Sequence, residues 1–488
     1  MRSRPSRGAD VDAHESIAVS EDDAADPPGC SPRLGARRDD ITKGPPSVGS
    51  PMFGTSGIRG PVGETVTADL ALSVGRALGV DADRVVVGRD PRESGDLLTD
   101  ALAAGLQESG TDVVDLGLAA TPTVARAVAW EGADAGASIT ASHNPPQDNG
   151  IKLWQPSGQA FDADRRETIS DRVRQGASSL VAWDALGDRE AASATDRHRA
   201  AVVDAVTVAD PLDVVVDVGN GAGGVTADVL ADLGCSVETL NAQPDGAFPG
   251  RPSEPTAEHC ESLATLVGTS DADLGIAHDG DADRLRAVTA DGQFLSGDAL
   301  LAIFAGAAAG AGDQVALPVD TSLAVADALA EQDVDVTRTP VGDVYVAEAA
   351  AAPGVAFGGE PSGAWIWPGE TLCPDGPLAA CKLVELAAER PLAARAADFA
   401  AYPIRRTSVE CDDKTAVLER VGERVRAAHD DVSTLDGLRV DLGDAWFLVR
   451  ASGTQPLVRI TAEARDEARA DDVFETARSY VEAARASA

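Results

Sequence analysis

Short runs of β-branched residues alternate with longer alanine-rich amphipathic stretches along most of the chain, and this alternation constrains the fold most. The predicted strand and helix pairs are 83–88 with 97–107, 113–117 with 121–130, 213–218 with 225–233 and 314–319 with 323–332. Hydrophobic strands that alternate with helices are typical of parallel or mixed sheets covered by helices. The 488 residues also exceed the roughly 250 to 300 that one hydrophobic core supports. We therefore expect several α/β domains in succession.

The last part of the chain has a different pattern. Predicted strands at 404–411, 438–442, 445–450 and 458–464 are combined with predicted helices at 415–429 and 468–486. This predicts a small α+β domain. The expected fold class is three successive α/β domains with mixed sheets and a C-terminal α+β domain. The expected domain bounds are 52–205, 206–295, 296–404 and 405–488.

The net charge is strongly negative, with 80 acidic residues against 41 basic ones and a formal charge of −39. This excess opposes binding to nucleic acid or anionic lipid, which carry the same sign. No run approaches the ~20 apolar residues that span a bilayer. The acidic residues occur in every segment, which is typical of a surface adapted to molar salt, where the repulsion is screened. We expect a halophilic protein without nucleic-acid or membrane partners; an acidic mesophilic protein is the alternative.

The six cysteines are scattered over the chain without a C-x-x-C pair. This spacing argues against a disulfide framework and against a zinc site. It favours small buried thiols in a reducing compartment. We expect a cytoplasmic protein.

Residues 1–51 differ from everything that follows. They are rich in Arg, Asp, Ser, Gly and Pro, lack apolar periodicity, and have no apolar stretch of roughly 7 to 15 residues. This composition predicts a disordered leader and excludes a secretory signal. The sequence changes sharply in composition at Met52. A mis-assigned translation start is therefore a second hypothesis for the leader.

Three carboxylates alternate along the chain at Asp279, Asp281 and Asp283, directly after an apolar run. Three hard oxygen ligands in a turn after a strand suit a divalent cation such as Mg²⁺. An EF-hand loop is excluded, because its sixth and twelfth positions would be Arg284 and Ala290 instead of Gly and Glu. A solvated acidic turn is the other alternative.

The segment 219–224 matches the pattern G-x-G-x-x-G after a predicted strand, and Glu238 follows 19 positions after Gly219. By this pattern it could bind a dinucleotide. Glycines at a strand-to-helix turn also serve tight turning and close packing in any doubly wound domain. Both interpretations stay open at this point.

Three further loops carry polar side chains. A serine followed by His-Asn-Pro-Pro lies at Ser142, with Lys152 ten residues later. The segment 358–363 offers Glu360 and Ser362 in a glycine-rich turn, which can hydrogen-bond sugar hydroxyls. The segment 450–459 combines two arginines with hydroxyls and a glycine, which suits a phosphate dianion. An ordinary turn is the alternative for each of them.

The four loops at Ser142, 279–283, 359–363 and 450–454 resemble, in this order, the phosphoserine, metal, sugar and phosphate loops of the α-D-phosphohexomutase family. Further matches are the segments 53–60, 88–92, 248–252 and 340–343. The resemblance covers about residues 52–488. It implies four domains around a central cleft.

The resemblance implies phosphoryl transfer through a phosphoserine and a hexose 1,6-bisphosphate. It assigns catalytic roles to Ser142, Lys152, His143 and Arg59, with Lys152 as acid/base whose pKa is lowered by Arg59, Arg284 and a metal. Metal binding falls to Ser142, Asp279, Asp281 and Asp283. Substrate binding falls to Glu360, Ser362, Gly342, Asp343, Arg284, Arg450, Ser452, Gly453, Thr454 and Arg459. One Mg²⁺ per active site and a hexose 1,6-bisphosphate activator are implied.

Two positions depart from the family pattern. Ala364 stands where many members have His after the sugar loop, and Gln455 stands where Glu is usual in the phosphate loop. Because of both departures, the family pattern does not identify which hexose phosphate is the substrate. We expect a phosphomannomutase or phosphoglucomutase, a monomer or a homodimer, acting on hexose 1- and 6-phosphates. Alternatives are a phosphoglucosamine mutase, a non-catalytic sugar-phosphate-binding protein and a nicotinamide-dependent dehydrogenase that uses the 219–224 loop.

Overall fold

The computed structural model describes residues 52–411, 413–451 and 457–486. The predicted leader at 1–51 lies outside these residues. The helices and strands of the described residues fall into four groups, each built on its own sheet. None of the helices in the described ranges is both long and apolar enough to cross a bilayer.

The first sheet contains β1 (Ile58–Pro61), β2 (Arg84–Arg89), β3 (Asp112–Leu118), β4 (Ala135–Ile139), β5 (Asp148–Trp154) and β6 (Arg189–Ala191). Their order is β1-β5-β4-β2-β3-β6. The strands β2, β3, β4 and β6 run parallel, while β5 is antiparallel to both β4 and β1. The accompanying helices are α1 (Ala68–Leu78), α2 (Gly95–Gln107), α3 (Thr121–Trp130) and α4 (Ala163–Gln175). The reversal between β4 and β5 carries the Ser142 loop.

The second sheet contains β7 (Asp213–Asp217), β8 (Ser236–Leu240), β9 (Leu274–His278) and β10 (Leu285–Thr289) in the order β10-β9-β7-β8. Its helices are α5 (Thr195–Asp204), α6 (Val225–Asp232) and α7 (Glu261–Thr269). The antiparallel hairpin of β9 and β10 encloses the aspartate turn. All five residues of β9 are buried, which explains the continuous apolar run before this turn.

The third sheet contains β11 (Gln314–Pro318), β12 (Asp335–Thr339), β13 (Val355–Gly359) and β14 (Trp365–Ile366) in the order β12-β11-β13-β14. Its helices are α8 (Gly297–Ala308), α9 (Leu323–Ala330), α10 (Asp343–Ala350), α11 (Gly376–Glu389) and α12 (Leu392–Ala397). The strands β11, β12 and β13 are parallel. Their carboxyl ends therefore meet at one edge of the sheet.

The fourth sheet is antiparallel throughout and contains β15 (Ile404–Glu410), β16 (Val432–Ser433), β17 (Leu438–Asp441), β18 (Ala445–Ala451) and β19 (Leu457–Ala464). The order is β15-β19-β18-β17-β16. The helices α13 (Lys414–Ala428) and α14 (Glu467–Arg485) pack on it. Three α/β units with mixed sheets and a C-terminal α+β unit confirm the predicted fold class.

One apolar cluster joins the second and third units. It contains Val216 and Ile276 from the second sheet, and Phe357 and Trp365 from the third. The Phe304 ring packs 5.1 Å from that of Trp365, measured between centroids. This aromatic contact lies within the third unit, where it adds about 0.5 to 1.5 kcal/mol beyond buried area. The apolar cluster itself packs the second unit against the third.

Candidate active site

The Ser142 loop is held in one conformation by buried polar groups. Ser142 is 1% exposed and has a φ of 51°, which is uncommon for a residue other than glycine. Its backbone N–H donates to Thr140 Oγ1 at 2.8 Å, and Thr140 Oγ1 donates to Asp90 at 2.7 Å. The buried guanidinium of Arg92 donates to four loop carbonyls, those of Ser142, Asn144, Pro145 and Asp148.

The Ser142 side chain points at the aspartate turn of the second sheet. Its hydroxyl donates to Asp279 Oδ2 at 2.7 Å and lies 3.3 Å from His143 Nδ1. Burial, and then the charges of Arg284 and Arg59, lower the pKa of His143 to about 2. The imidazole is therefore neutral, and it can orient an oxygen on Ser142 by hydrogen bonding.

Asp279, Asp281 and Asp283 converge, as their spacing predicted. Their carboxylate oxygens lie within 4.8 Å of one another, and all three residues are buried. Burial, followed by repulsion among the three carboxylates, raises the pKa of each to about 6. Thr121 Oγ1 donates to Asp281 Oδ2 at 2.7 Å and so fixes one of the three carboxylates.

The three aspartates fit a divalent cation. The Oδ1 atoms of Asp281 and Asp283 are buried without a hydrogen-bond partner within the described ranges. Buried charged oxygens without partners are costly unless something compensates them. Carboxylate oxygens are the ligands that Mg²⁺ takes up. The solvated acidic turn is excluded, because the turn is buried.

The glycine-rich segment 219–224 serves the aspartate turn. The Ala222 N–H donates to the Gly280 carbonyl at 2.9 Å. A Cβ on Gly221 would lie 2.7 Å from the same carbonyl oxygen, so a side chain there would displace the turn. The glycines thus allow two backbones to approach closely, and this packing argues against a dinucleotide in that loop.

Two arginines bring positive charge to the Ser142 loop. Arg59 lies on β1, opposite Gly150 of β5. Its Nε is buried and has no hydrogen-bond partner among the residues that the structure describes. Arg284 Nε lies 4.0 Å from Asp279 Oδ2. A guanidinium with a free Nε, whose charge reaches His143 next to Ser142, suits a phosphoryl group.

The structure corrects the expected surroundings of Lys152. Its Nζ lies 2.5 Å from Asp343 Oδ2 and 3.6 Å from Asp283 Oδ2, and 4.6 Å from the centre of the Trp154 ring. Burial lowers the pKa of Lys152, but Asp343 and Asp283 outweigh it and raise the pKa above its ordinary value. The predicted net lowering of the Lys152 pKa was wrong, because the two carboxylates outweigh Arg59, whose charge does lower it.

The expected sugar-binding residues meet at the carboxyl edge of the third sheet. Glu360 follows β13, and its Oε1 accepts from the Gly342 N–H at 2.7 Å. Ser362 Oγ donates to Glu360 Oε2 at 3.1 Å. Burial, and then the charge of Asp343, raise the pKa of Glu360 to about 7. Ala364 is buried and forms a β-bridge with Arg284, so the position usually held by His packs against the aspartate turn.

The two arginines of the predicted phosphate loop are paired on adjacent strands of the fourth sheet. Arg450 on β18 is directly opposite Arg459 on β19. Like charges in opposite positions destabilise a strand pair unless an anion compensates them. Arg450 Nη2 also lies 2.7 Å from Asp436 Oδ2. The predicted ligands Ser452, Gly453 and Thr454 lie outside the described residues.

Sequence reasoning missed three residues of the site. Thr121 contacts Asp281, Asp436 contacts Arg450, and Arg92 holds the Ser142 loop. Asp436 Oδ2 also accepts from the Val341 N–H at 3.0 Å, so it connects the fourth sheet to the loop after β12. Only Arg92 had a signal, since it belongs to the matched segment 88–92.

Family models match four consecutive parts of the chain. They are the phosphoglucomutase/phosphomannomutase alpha/beta/alpha domains I at 50–179, II at 196–292 and III at 296–402, and the C-terminal domain at 407–479.

Curated relatives match nearly the whole chain. A protein of Methanopyrus kandleri named "Probable phosphoglucosamine mutase" is 46% identical over 89% of this chain and 99% of its own length. One of Methanosarcina barkeri with the same name is 44% identical over 87% of this chain and 98% of its own.

A solved phosphoglucomutase/phosphomannomutase family protein from Burkholderia thailandensis superposes with a TM-score of 0.79 at 30% identity. The alignment covers 89% of this chain and 98% of that one. Four matched domains, whole-length relatives and a shared fold agree with the site geometry. This chain belongs to the α-D-phosphohexomutase superfamily.

Proposed function

We propose that this chain is a phosphoglucosamine mutase, which interconverts the 1- and 6-phosphates of glucosamine. The observation that carries the mutase activity is the hydrogen bond from Ser142 Oγ to Asp279 Oδ2, 2.7 Å long and buried. It places the one reactive hydroxyl of the loop against three carboxylates that need a cation. Phosphoryl transfer depends mainly on such positioning and charge.

In the proposed reaction, Ser142 carries a phosphoryl group at the start. The bond from phosphorus to Oγ breaks, and a bond forms from phosphorus to the free hydroxyl of the sugar monophosphate. The Lys152 ammonium passes one proton to Asp343 Oδ2, 2.5 Å away, and its Nζ accepts the hydroxyl proton, while Ser142 Oγ leaves as an alkoxide. The resulting 1,6-bisphosphate then reorients in the site. Its other phosphoryl group is transferred to Oγ as the bond from phosphorus to the sugar oxygen breaks. Lys152 gives the proton to this sugar oxygen.

Asp279, Asp281 and Asp283, with an oxygen on Ser142, would hold Mg²⁺. The bound cation would neutralise charge on the transferred group. Arg59 and Arg284 would bind the oxygens of the phosphoryl group. Arg450 and Arg459, with Ser452, Gly453 and Thr454, bind the phosphate that is not transferred.

The sugar-binding edge supports an amino sugar. Asp320 follows β11, between the loops that carry Gly342 and Glu360, and its Oδ1 is buried without a hydrogen-bond partner within the described chain. Burial raises the pKa of Asp320 as well as that of Glu360. The ammonium group of glucosamine would donate to the Asp320 Oδ1 that lacks a partner. The names of the archaeal relatives favour the same substrate over glucose or mannose.

The test compares glucosamine 1-phosphate, glucose 1-phosphate and mannose 1-phosphate in coupled assays with Mg²⁺, catalytic hexose 1,6-bisphosphate and molar KCl. We expect the highest kcat/KM with glucosamine 1-phosphate. A higher kcat/KM with glucose or mannose would replace the proposed sugar while retaining the mutase. Absence of turnover with all three would refute the mutase.

We also infer a cytoplasmic enzyme adapted to concentrated salt. The charge of −39 supports the salt adaptation. The cysteines within the described ranges are free and buried, which is typical of a reducing compartment. Retention of activity in molar KCl tests the first inference, and recovery from a cytoplasmic fraction of the native host tests the second.

A further inference from the structure

Residues 246–253, between β8 and α7, reach from the second unit to the Ser142 loop of the first. A Cβ on Gly246 would lie 2.5 Å from the Pro91 carbonyl oxygen, so this segment approaches the backbone of the loop after β2 closely. The Arg92 guanidinium carbon lies over the Phe248 ring, 5.0 Å from the centre of the ring. The segment therefore covers the arginine that holds the Ser142 loop.

Arg251 anchors this segment to the second sheet. Its Nε donates to Asp217 Oδ2 at 2.6 Å, at the end of β7, and its Nη2 donates to the His278 carbonyl at 2.6 Å, at the end of β9. Its Nη1 donates to the carbonyl of Ser253 at 3.3 Å. The end of the segment is thus fixed to the strands that flank the aspartate turn.

Ser253 links the two loops of the reaction. Its Oγ donates to the Ser142 carbonyl at 2.8 Å and accepts from the Gly280 N–H at 3.0 Å. Gly280 stands between Asp279 and Asp281, so one hydroxyl joins the backbone of the nucleophile to that of the aspartate turn. Arg92 Nη2 donates to the same Ser142 carbonyl at 2.8 Å.

We propose that residues 246–253 are a clamp that fixes the Ser142 loop against the aspartate turn, with Ser253 as its positioning residue. Ser142 holds a left-handed φ of 51°, a conformation that persists only where the surroundings impose it. The donors from Arg92 and Ser253 satisfy the carbonyl of that residue. Loss of the Ser253 hydroxyl would leave the Gly280 N–H unpaired and would release the nucleophile from the turn.

This proposal rests on the proposed function, because positioning matters only if Ser142 carries the phosphoryl group. The test compares Ser253→Ala and Ser253→Cys with the wild type. Cys fills the volume of Ser but is a weak donor and acceptor, so it separates hydrogen bonding from packing. Ser170→Ala is the matched control, because Ser170 is also buried and its Oγ donates to the Arg166 carbonyl on α4.

We expect kcat to fall at least about tenfold in both Ser253 variants, with KM changed less than about twofold, because the nucleophile is misplaced while sugar contacts stay intact. Amide hydrogen exchange of residues 142–150 should accelerate in both. Ser170→Ala should change the thermal midpoint alone. Recovery of wild-type kcat by Ser253→Cys, or unchanged exchange at 142–150, would overturn the clamp. Exchange needs no turnover, so it tests the clamp even if the mutase assignment fails.

Discussion

Lys152 Nζ lies 2.5 Å from Asp343 Oδ2 and 3.6 Å from Asp283 Oδ2, and its side chain is 3% exposed. Lys152 belongs to β5 of the first sheet, while Asp343 begins α10 of the third unit and Asp283 closes the aspartate turn of the second. One buried ammonium therefore connects three units at the point where their loops meet. Its charge offsets part of the negative charge there.

Lys152→Met should lower kcat by about 10²- to 10⁴-fold, the usual contribution of general acid–base catalysis. Lys382→Met is the matched control, because Lys382 also pairs with a carboxylate, 3.1 Å from Glu385, but on α11. The control should retain wild-type kcat. Steady-state assays check this, and a Lys152→Met enzyme with wild-type kcat would remove Lys152 from proton transfer.

Asp281→Asn should raise the thermal midpoint of the metal-free protein and abolish the stabilisation that Mg²⁺ confers. The Asn oxygen can still accept from Thr121, while one of three mutually repelling buried charges is lost. Mg²⁺ should raise the wild-type midpoint by at least about 2 °C, since a ligand that binds only the folded state stabilises it. Thermal unfolding with EDTA and with Mg²⁺ measures both effects. An equal Mg²⁺ response in variant and wild type would contradict the proposed metal site.

Glu360 should make stability depend on pH. Burial raises its pKa from the ordinary 4.5 to about 7, so the folded chain keeps a proton that the unfolded chain releases. The free energy of unfolding therefore falls as pH rises between those values, by up to about 3 kcal/mol for this one group.

Glu360→Gln removes this dependence, so its thermal midpoint relative to wild type should be higher at pH 8 than at pH 5. Glu348→Gln, at an exposed position on α10, should give the same difference at both pH values. A Glu360→Gln difference that does not change with pH would show that the carboxyl is already ionised at pH 5.

Concentrated salt should stabilise the protein. Screening shortens the range of repulsion from about 10 Å at 0.1 M salt to about 3 Å at 1 M, which relieves a chain with a net charge of −39. The thermal midpoint should rise by several degrees between 0.1 M and 2 M KCl. A constant or falling midpoint would exclude the inferred salt adaptation.

The sequence predicted the elements and contacts that depend on nearby residues. The helix at 121–130 was predicted with the bounds of α3, and the spacing of Asp279, Asp281 and Asp283 predicted their convergence in one turn. The strand β5 was not predicted, because Asp148, Asn149 and Lys152 are polar. Asn149 and Lys152 are buried with partners that only the fold supplies.

The remaining features depend on residues far apart in the chain. Asp343 is 191 positions from Lys152, and Asp281 is 160 positions from Thr121. A local sequence pattern cannot predict contacts between residues so far apart. For the same reason the sequence favoured arginines as neighbours of Lys152, where the fold places carboxylates.

The central claim is that Ser142 carries the phosphoryl group, and labelling tests it most directly. Wild type, Ser142→Ala and the control Ser157→Ala, at an exposed turn position, are incubated with hexose 1,6-bisphosphate labelled in its phosphates. Peptide mass spectrometry locates the label. The account predicts a single phosphoryl group on Ser142 in wild type and in Ser157→Ala, and none in Ser142→Ala. Equal labelling of Ser142→Ala, or label on another residue of the wild type, would contradict it.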